Sequence, residues 1–449
     1  MDLLLKNGLV VSDGLETAAD LAVRDGVVRA IGSLDGIEAR EVVDCSGKII
    51  LPGAVDIGLN LLEDGPFDPE SASGFALASR HAALGGVTSL VTAVELLDGE
   101  DVGETLRVQQ EGDARKSVVD FGYHLVLDTW NPKVAARARE AALAGICSFW
   151  ARRTGNIAEL PSHVLLMVAA QELPEDALLI GSVYDPAVVD WHLKTAAAVN
   201  YETGSWKNVL PEGEEAAFVL GLPQRLKGAR ARVLLTGLSS AESLQALRQA
   251  REQSAQILAG CKLPHLYFQE GSDDVARTYP PVRGKADQQA IFNALEDGLL
   301  SVVTADHKPR TLSEMLRYKE GKAPVVGMAT LSHFLPVLHS EGVAKWRLSL
   351  GALSQCACAD PAKLAGLYPR KGCLQIGSDA DMVILDPQRL RPAKEEISSL
   401  RNYVDPLGSA PLQGYVEAVY LRGQCIVREQ RFLDPTPTGR FLPRKMALK

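Results

Sequence analysis

Basic charge is in the minority in this chain of 449 residues: 47 Lys and Arg stand against 56 Asp and Glu, a formal charge of −9. Nucleic-acid backbones call for a basic surface, so no nucleic-acid partner is expected. No apolar run approaches the roughly 20 residues a helix needs to cross a bilayer. The N-terminus "MDLLLKNGLVVSDG" lacks the long apolar stretch of a secretory signal. Both absences predict a cytoplasmic protein with no membrane partner. The seven cysteines are scattered and odd in number, which argues against a disulfide framework. Their one close pair, "CAC" at 356–358, has a spacing that fits no common zinc site and reads as helix packing. Histidine is scarce, at eight residues, and no glycine-rich phosphate loop is present.

A hydrophobic fraction of 46% and a charged fraction of 23% are those of a globular protein. The length suits a large barrel with a smaller appended domain. The first fifty residues are short β-rich runs punctuated by N-G and D-G dipeptides, which read as hairpins. The same texture returns in "GSDADMVILD" and "GYVEAVYLRGQCIVREQRFL". Residues 1–52 and 374–449 are therefore expected to pair into one β-sandwich around an insertion. Within 53–373, strands are predicted near 54–56, 88–92, 121–125, 145–149, 178–180, 232–235, 266–268 and 301–304. Helical patterns such as "PKVAARAREAALAG" and "AESLQALRQAREQ" lie between them. Eight β-then-α units predict an α/β fold, a (β/α)₈ TIM-type barrel, with an open doubly wound sheet as the alternative. Chemistry in such a barrel belongs at the C-terminal strand ends.

The first of these strands carries the segment "PGAVDIGLN". A strand repeats every two residues, so D-x-H-x-H would aim a carboxylate and two imidazoles at one point. Here Asp56 keeps its place, but Gly58 and Asn60 stand where imidazoles would be.

The segments "GKIILPGAVD", "YPPVRGKAD", "VVTADHKPRT", "GMATLS" and "KGCLQIGSDADMVILD" together resemble the cyclic amidohydrolases. Dihydroorotase is the nearest branch, with allantoinase and hydantoinase close behind. The resemblance implies a barrel-plus-sandwich protein that opens or closes a cyclic amide with one or two divalent metals, commonly zinc. It implies ligands from two His on strand one, a carboxylated Lys on strand four, one His each on strands five and six, and an Asp on strand eight. Transferred to this chain, those positions fall on Gly58, Asn60, Trp150, Gly181 or Ser182, Gly237 and Asp306. The substrate-binding arginine falls on Leu62, and an asparagine after strand two on Glu95. Glycine offers no donor and tryptophan only an N–H, so neither replaces an imidazole at a metal.

A metal would lower the pKa of its bound water from about 15.7 to about 7. Asp306 alone could supply general-base help of about 10²–10⁴-fold. The resulting expectation is a catalytically inactive chain with no cofactor, serving as an assembly or regulatory partner of aspartate transcarbamoylase and itself homo-oligomeric. The alternative is an active cyclic amidohydrolase with a divergent site. Asp306 is the weak catalytic candidate, and Arg283, His307 and Gly327 are candidate ligand-binding positions. His124 and Asp56 could join Asp306 in a single-metal site. Arg152 and Arg153 could hold an anion at the mouth. Ser239 and Ser240 have no His and acid in a nucleophile's arrangement nearby, and Cys147, inside strand four between apolar neighbours, reads as packed rather than nucleophilic.

Overall fold

The computed structural model describes residues 1–59, 61, 74–151, 162–184, 188–189, 191–192, 210–254, 256–272, 277–311, 326–391, 405, 407, 411–434 and 436–445. Five strands open the chain: β1 (Leu3–Ser12), β2 (Leu15–Arg24), β3 (Val27–Gly32), β4 (Glu41–Asp44) and β5 (Ile49–Pro52). The D-G turns form as the sequence predicts. Asp13–Gly14 and Asp25–Gly26 each place two successive residues at positive φ, the geometry of a tight hairpin turn. Asn7–Gly8 does not turn the chain. It lies within β1, where the register against β2 shifts between Leu5 and Gly8, so this N-G marks a β-bulge.

Eight parallel strands follow: β6 (Ala54–Leu59), β7 (Val87–Val94), β8 (Asp120–Leu127), β9 (Ser148–Ala151), β10 (Leu178–Ser182), β11 (Arg232–Thr236), β12 (Ile257–Lys262) and β13 (Val302–Thr304). They run in sequence order from β6 to β13. The sheet curls until β13 meets β6, where Ala305 N–H reaches Asp56 Oδ1 at 3.4 Å. Helices Gly74–Leu84, Pro132–Leu143 and Ala241–Gln253 pack outside the barrel. The last begins at Ser240, whose side chain accepts from Ser243 N–H in a capping box. The arrangement is the TIM-type barrel, not the open sheet.

One strand lies elsewhere than expected. The seventh is β12 at Ile257–Lys262, whereas Leu263–Tyr267 is a short helix with Pro264 in its first turn. "LYF" has a strand's composition, but a proline in the first turn favours a helix start. "ILAGCK" has Ala and Gly at its centre, and Gly260 is needed there. A Cβ on it would lie 2.4 Å from a Val302 methyl on β13.

The chain then returns to the first sheet with β14 (Met382–Leu390), β15 (Gln413–Leu421), β16 (Gln424–Arg428) and β17 (Arg431–Phe432). β14 pairs antiparallel with β5, joining the N- and C-terminal segments in one nine-stranded sheet. Residues 440–444 leave that sheet and run beneath the barrel. Phe121 N–H donates to Arg440 O, and Leu442 N–H donates to Phe121 O. No helix among the described residues is long and apolar enough to cross a membrane.

Candidate active site

The ends of six strands surround a cavity of about 110 Å³ at the C-terminal face of the barrel. Its floor includes Gly58 of β6, Trp150 of β9 and Ser182 of β10, with Thr236, Lys262 and Thr304 from the next three strands. Its wall includes Asp306, His307 and Gly327 from the segments that follow β13.

Asp306 sits just past β13 at φ 53°, a left-handed conformation that Asp tolerates better than most residues. Its Oδ1 accepts from Lys262 Nζ at 2.6 Å and its Oδ2 from Thr278 Oγ1 at 2.5 Å. Burial works to raise this carboxyl, but the Lys262 charge and the hydrogen bonds from Lys262 and Thr278 hold it below the ordinary range. Lys262 also donates to Tyr279 O at 2.7 Å. Its ammonium is thus anchored at two points with 16% of the side chain exposed. Lys262 is a residue that sequence reasoning missed. Placing the seventh strand at 266–268 hid it, and a strand ending at Lys262 would have put a lysine at the mouth.

The empty ligand positions are filled by neighbours. A Cβ on Gly58 would stand 2.4 Å from Thr304 Cβ, so no larger side chain fits there without moving β13. Gly237 follows β11 at φ +92°, and a Cβ there would lie 3.0 Å from Lys262 Cε and 3.1 Å from Pro280 Cδ. The lysine stem therefore occupies the space into which a side chain at 237 would project. Gly181 faces Leu166, outside the barrel, and Ser182 is the one of that pair at the cavity. Among the described residues, no three His, Cys, Asp or Glu side chains cluster so as to hold a metal ion. Divalent metal, implied by the resemblance, does not fit this donor set. Asn60, Leu62, Arg152 and Arg153 lie outside the described residues.

His307 accepts from Thr330 N–H at 3.0 Å and Leu331 N–H at 3.1 Å, both at Nδ1. Burial, with His81 and His333 nearby, pushes its pKa well below the usual value, so the ring is neutral. These bonds tie the segment 326–331 over the end of β13. Gly327 makes the crossing possible: at φ +115° a Cβ would meet Lys308 Cβ and O at 2.7 Å. Arg283 is not at the cavity. It is buried, donating to Leu210 O at 2.6 Å and Ser239 Oγ at 3.1 Å beside Glu215. Ser239 in turn donates to Glu215 from both its N–H and its hydroxyl.

His124 lies one layer below the mouth, edge-on to Trp150. Its Nε2 is 3.0 Å from Ile57 O, and its Nδ1 is hydrogen-bonded to Ser148 Oγ. Both ring nitrogens are engaged, so the single-metal combination with Asp56 and Asp306 does not assemble. Asp56 is fully buried. Its Oδ1 accepts from Gly58 N–H at 2.9 Å, and its Oδ2 has no partner among the described residues. Burial raises this carboxyl to about 6, opposed by the Gly58 and Ala305 hydrogen bonds. Glu95 is exposed just beyond β7. Cys147 is buried ahead of β9, and burial pushes its thiol up to about 11, which keeps it unreactive near neutral pH. Cys356 and Cys358 are free and buried within the helical segment 350–364.

A TIM-type barrel with polar side chains gathered at its C-terminal strand ends, and a second sheet built from both termini, is the architecture of the amidohydrolase class. The Amidohydrolase family model matches residues 187–416, a little over half of the chain, and the chain belongs to that family. It is similar to a D-hydantoinase of Ralstonia pickettii, 27% identical over 99% of both chains. It is similar also to an L-hydantoinase of Paenarthrobacter aurescens, 26% identical over 99% of this chain and 98% of the other. The crystal structure of dihydropyrimidinase from Brevibacillus agri NCHU1002 superposes with a TM-score of 0.88 at 27% identity, covering 100% of both chains. These matches overturn the expectation of an inactive dihydroorotase-like partner of aspartate transcarbamoylase. The proteins matched from end to end are named as enzymes, hydantoinases and a dihydropyrimidinase. The dihydroorotase-like motifs, "TADHKPR" among them, are short. A likeness over the whole chain outweighs them.

Proposed function

We propose that this chain is a cyclic amidohydrolase that opens, by addition of water across a C–N bond, a small cyclic amide of the hydantoin or dihydropyrimidine kind. The observation that carries the reading is the end-to-end likeness to proteins named hydantoinase, combined with a cavity at the C-terminal strand ends. The cavity of about 110 Å³ is small beside the roughly 300–1,000 Å³ of a drug-sized ligand's site and suits a small ring. Asp306 is the base within reach of a bound water or substrate, and its hydrogen bonds to Lys262 and Thr278 fix its orientation. Trp150, with Tyr184 and Tyr279, supplies flat apolar surface against which a ring can lie. The hydantoinase and dihydropyrimidinase branch is favoured over dihydroorotase by the matched relatives. A cytoplasmic setting, in keeping with seven free cysteines, belongs to the same reading.

The test is ring opening by the purified full chain, followed by loss of ring absorbance and by detection of the carbamoyl product. Hydantoin, a dihydropyrimidine and dihydroorotate are the three substrates. Turnover of hydantoin or the dihydropyrimidine is expected, with kcat falling about 10²–10⁴-fold in Asp306→Asn. Absence of turnover on all three, with and without added zinc, would remove the proposal.

A further inference from the structure

We infer that the working cation of this mouth is the Lys262 ammonium, which takes the place of a divalent metal and holds the amide carbonyl oxygen while Asp306 accepts a proton from the attacking water. The inference rests on the ring-opening function proposed above and adds to it the residue that polarises the bond.

Three observations support it. First, Lys262 fills space, as well as charge, at an empty ligand position: its Cε and Cδ lie 3.0 and 3.2 Å from where a Cβ on Gly237 would be. An imidazole at 237 and this lysine conformer are mutually exclusive. Second, the ammonium is held by two bonds, to Asp306 Oδ1 at 2.6 Å and Tyr279 O at 2.7 Å. An ammonium has three N–H donors, so one is left for a ligand in the cavity that Lys262 lines. Third, two of the positions that would complete a metal's coordination are crowded by neighbours, Gly58 by Thr304 and Gly237 by Lys262 and Pro280.

The step balances with water as the only co-reactant. The water oxygen forms a bond to the carbonyl carbon and its proton passes to Asp306. The C=O electron pair moves onto oxygen, where the Lys262 N–H stabilises it. Collapse breaks the C–N bond and the proton on Asp306 goes to the departing nitrogen, which yields the free carbamoyl or amide end and a carboxylic acid that loses its remaining proton to solvent. A fixed donor at a developing oxyanion is worth about 10²–10³-fold. General-base help adds about 10²–10⁴-fold. Together they reach about 10⁴–10⁷-fold, of which only the upper end meets the enzymatic range that begins at about 10⁶-fold.

The experiment uses the full chain dialysed against a chelator, its metal content measured by elemental analysis, with hydantoin as the probe. Turnover that persists far below one metal per chain is expected. Lys262→Met should lower kcat about 10²–10³-fold while shifting the melting temperature by no more than a few degrees. Ethylamine in solution should restore part of the activity of Lys262→Ala, which a purely structural role would not allow. If the chelator abolishes turnover and zinc restores it, or if zinc binds stoichiometrically, the lysine assignment is wrong while the ring-opening function stands. If neither metal-free nor zinc-loaded protein opens any ring, the ring-opening function falls. The lysine assignment is then judged by calorimetric binding of hydantoin. A loss of about tenfold or more in affinity in Lys262→Met upholds it, and unchanged affinity overturns it.

Discussion

The barrel carries a lysine bound to carboxylate at each end, and the two sites differ in what surrounds the charge. At the N-terminal end, Lys371 donates to Asp120 at 2.6 Å and Asp381 at 2.7 Å, with Asp379 at 3.0 Å. Arg422 completes the group through a short contact with Asp120. Only 1% of the Lys371 side chain is exposed. Burial opposes its charge, yet Asp381, Asp120 and Asp379 raise its pKa overall, and Asp120 is correspondingly lowered by Lys371 and Arg422. At the C-terminal end, Lys262 has one carboxylate, one carbonyl and a cavity. A charge whose partners are all protein groups ties the second sheet to the barrel floor. A charge with one side open to a cavity is available for chemistry. This is the division expected of such barrels, with stability at the bottom and reaction at the top.

The largest expected effect comes from breaking the closed cluster. Lys371→Met leaves Arg422 beside Asp120 and Arg370 beside Asp379 but takes the cation from Asp381, and it should cost about 3–5 kcal/mol of unfolding free energy in denaturant titrations. A loss well under 1 kcal/mol would remove the distinction between the two ends.

Asp56, beneath the mouth, sharpens the comparison because it is a buried acid with no cation against it among the described residues. Its folded pKa, about 6, lies above the ordinary 3.8. The folded state therefore holds the proton more tightly. This contribution to stability is complete below pH 3.8 and is lost as pH rises through about 6. The difference amounts to about 2–3 kcal/mol. Asp56→Asn keeps an acceptor for Gly58 N–H and removes the titration. Melting temperatures measured from pH 4 to 8 should show the variant gaining on the wild type as pH rises, and parallel curves would contradict this.

The smallest stability change is expected at the open site. Lys262→Met should alter the unfolding free energy by about 1 kcal/mol, since water in the cavity can solvate Asp306 once the ammonium is gone. Stability and turnover should thus part company at Lys262. At Lys371, lost activity should track lost folded protein.

Local pattern carried much of the architecture. The D-G turns at Asp13 and Asp25 depend on two residues each, and the helix at Ala241–Gln253 on a single capped periodic run, so short-range signals sufficed. Asn7–Gly8 misled because the same dipeptide serves a turn or a bulge, and the register against β2 decides between them. β12 misled because its Ala and Gly residues answer to crowding by Val302, a contact made across the sheet. At the site, Asp306, His307 and Gly327 could be read from motifs and do line the cavity, whereas Arg283 faces Glu215 and Ser239 behind it.

The sequence alone supplied the residues at the strand ends. A two-residue repeat put Gly58 and Asn60 in line with Asp56, and the resemblance to the cyclic amidohydrolases marked the other positions. Neither requires knowledge of distant contacts. Tertiary structure alone decided what took the place of the missing donors. Lys262 and Gly237 are separated by 25 positions in the chain, and Lys262 and Asp306 by 44. Only closure of the barrel puts the lysine stem against the glycine and the ammonium against the carboxylate. Contacts of that kind depend on the spacing of neighbouring strands, which no local periodicity encodes.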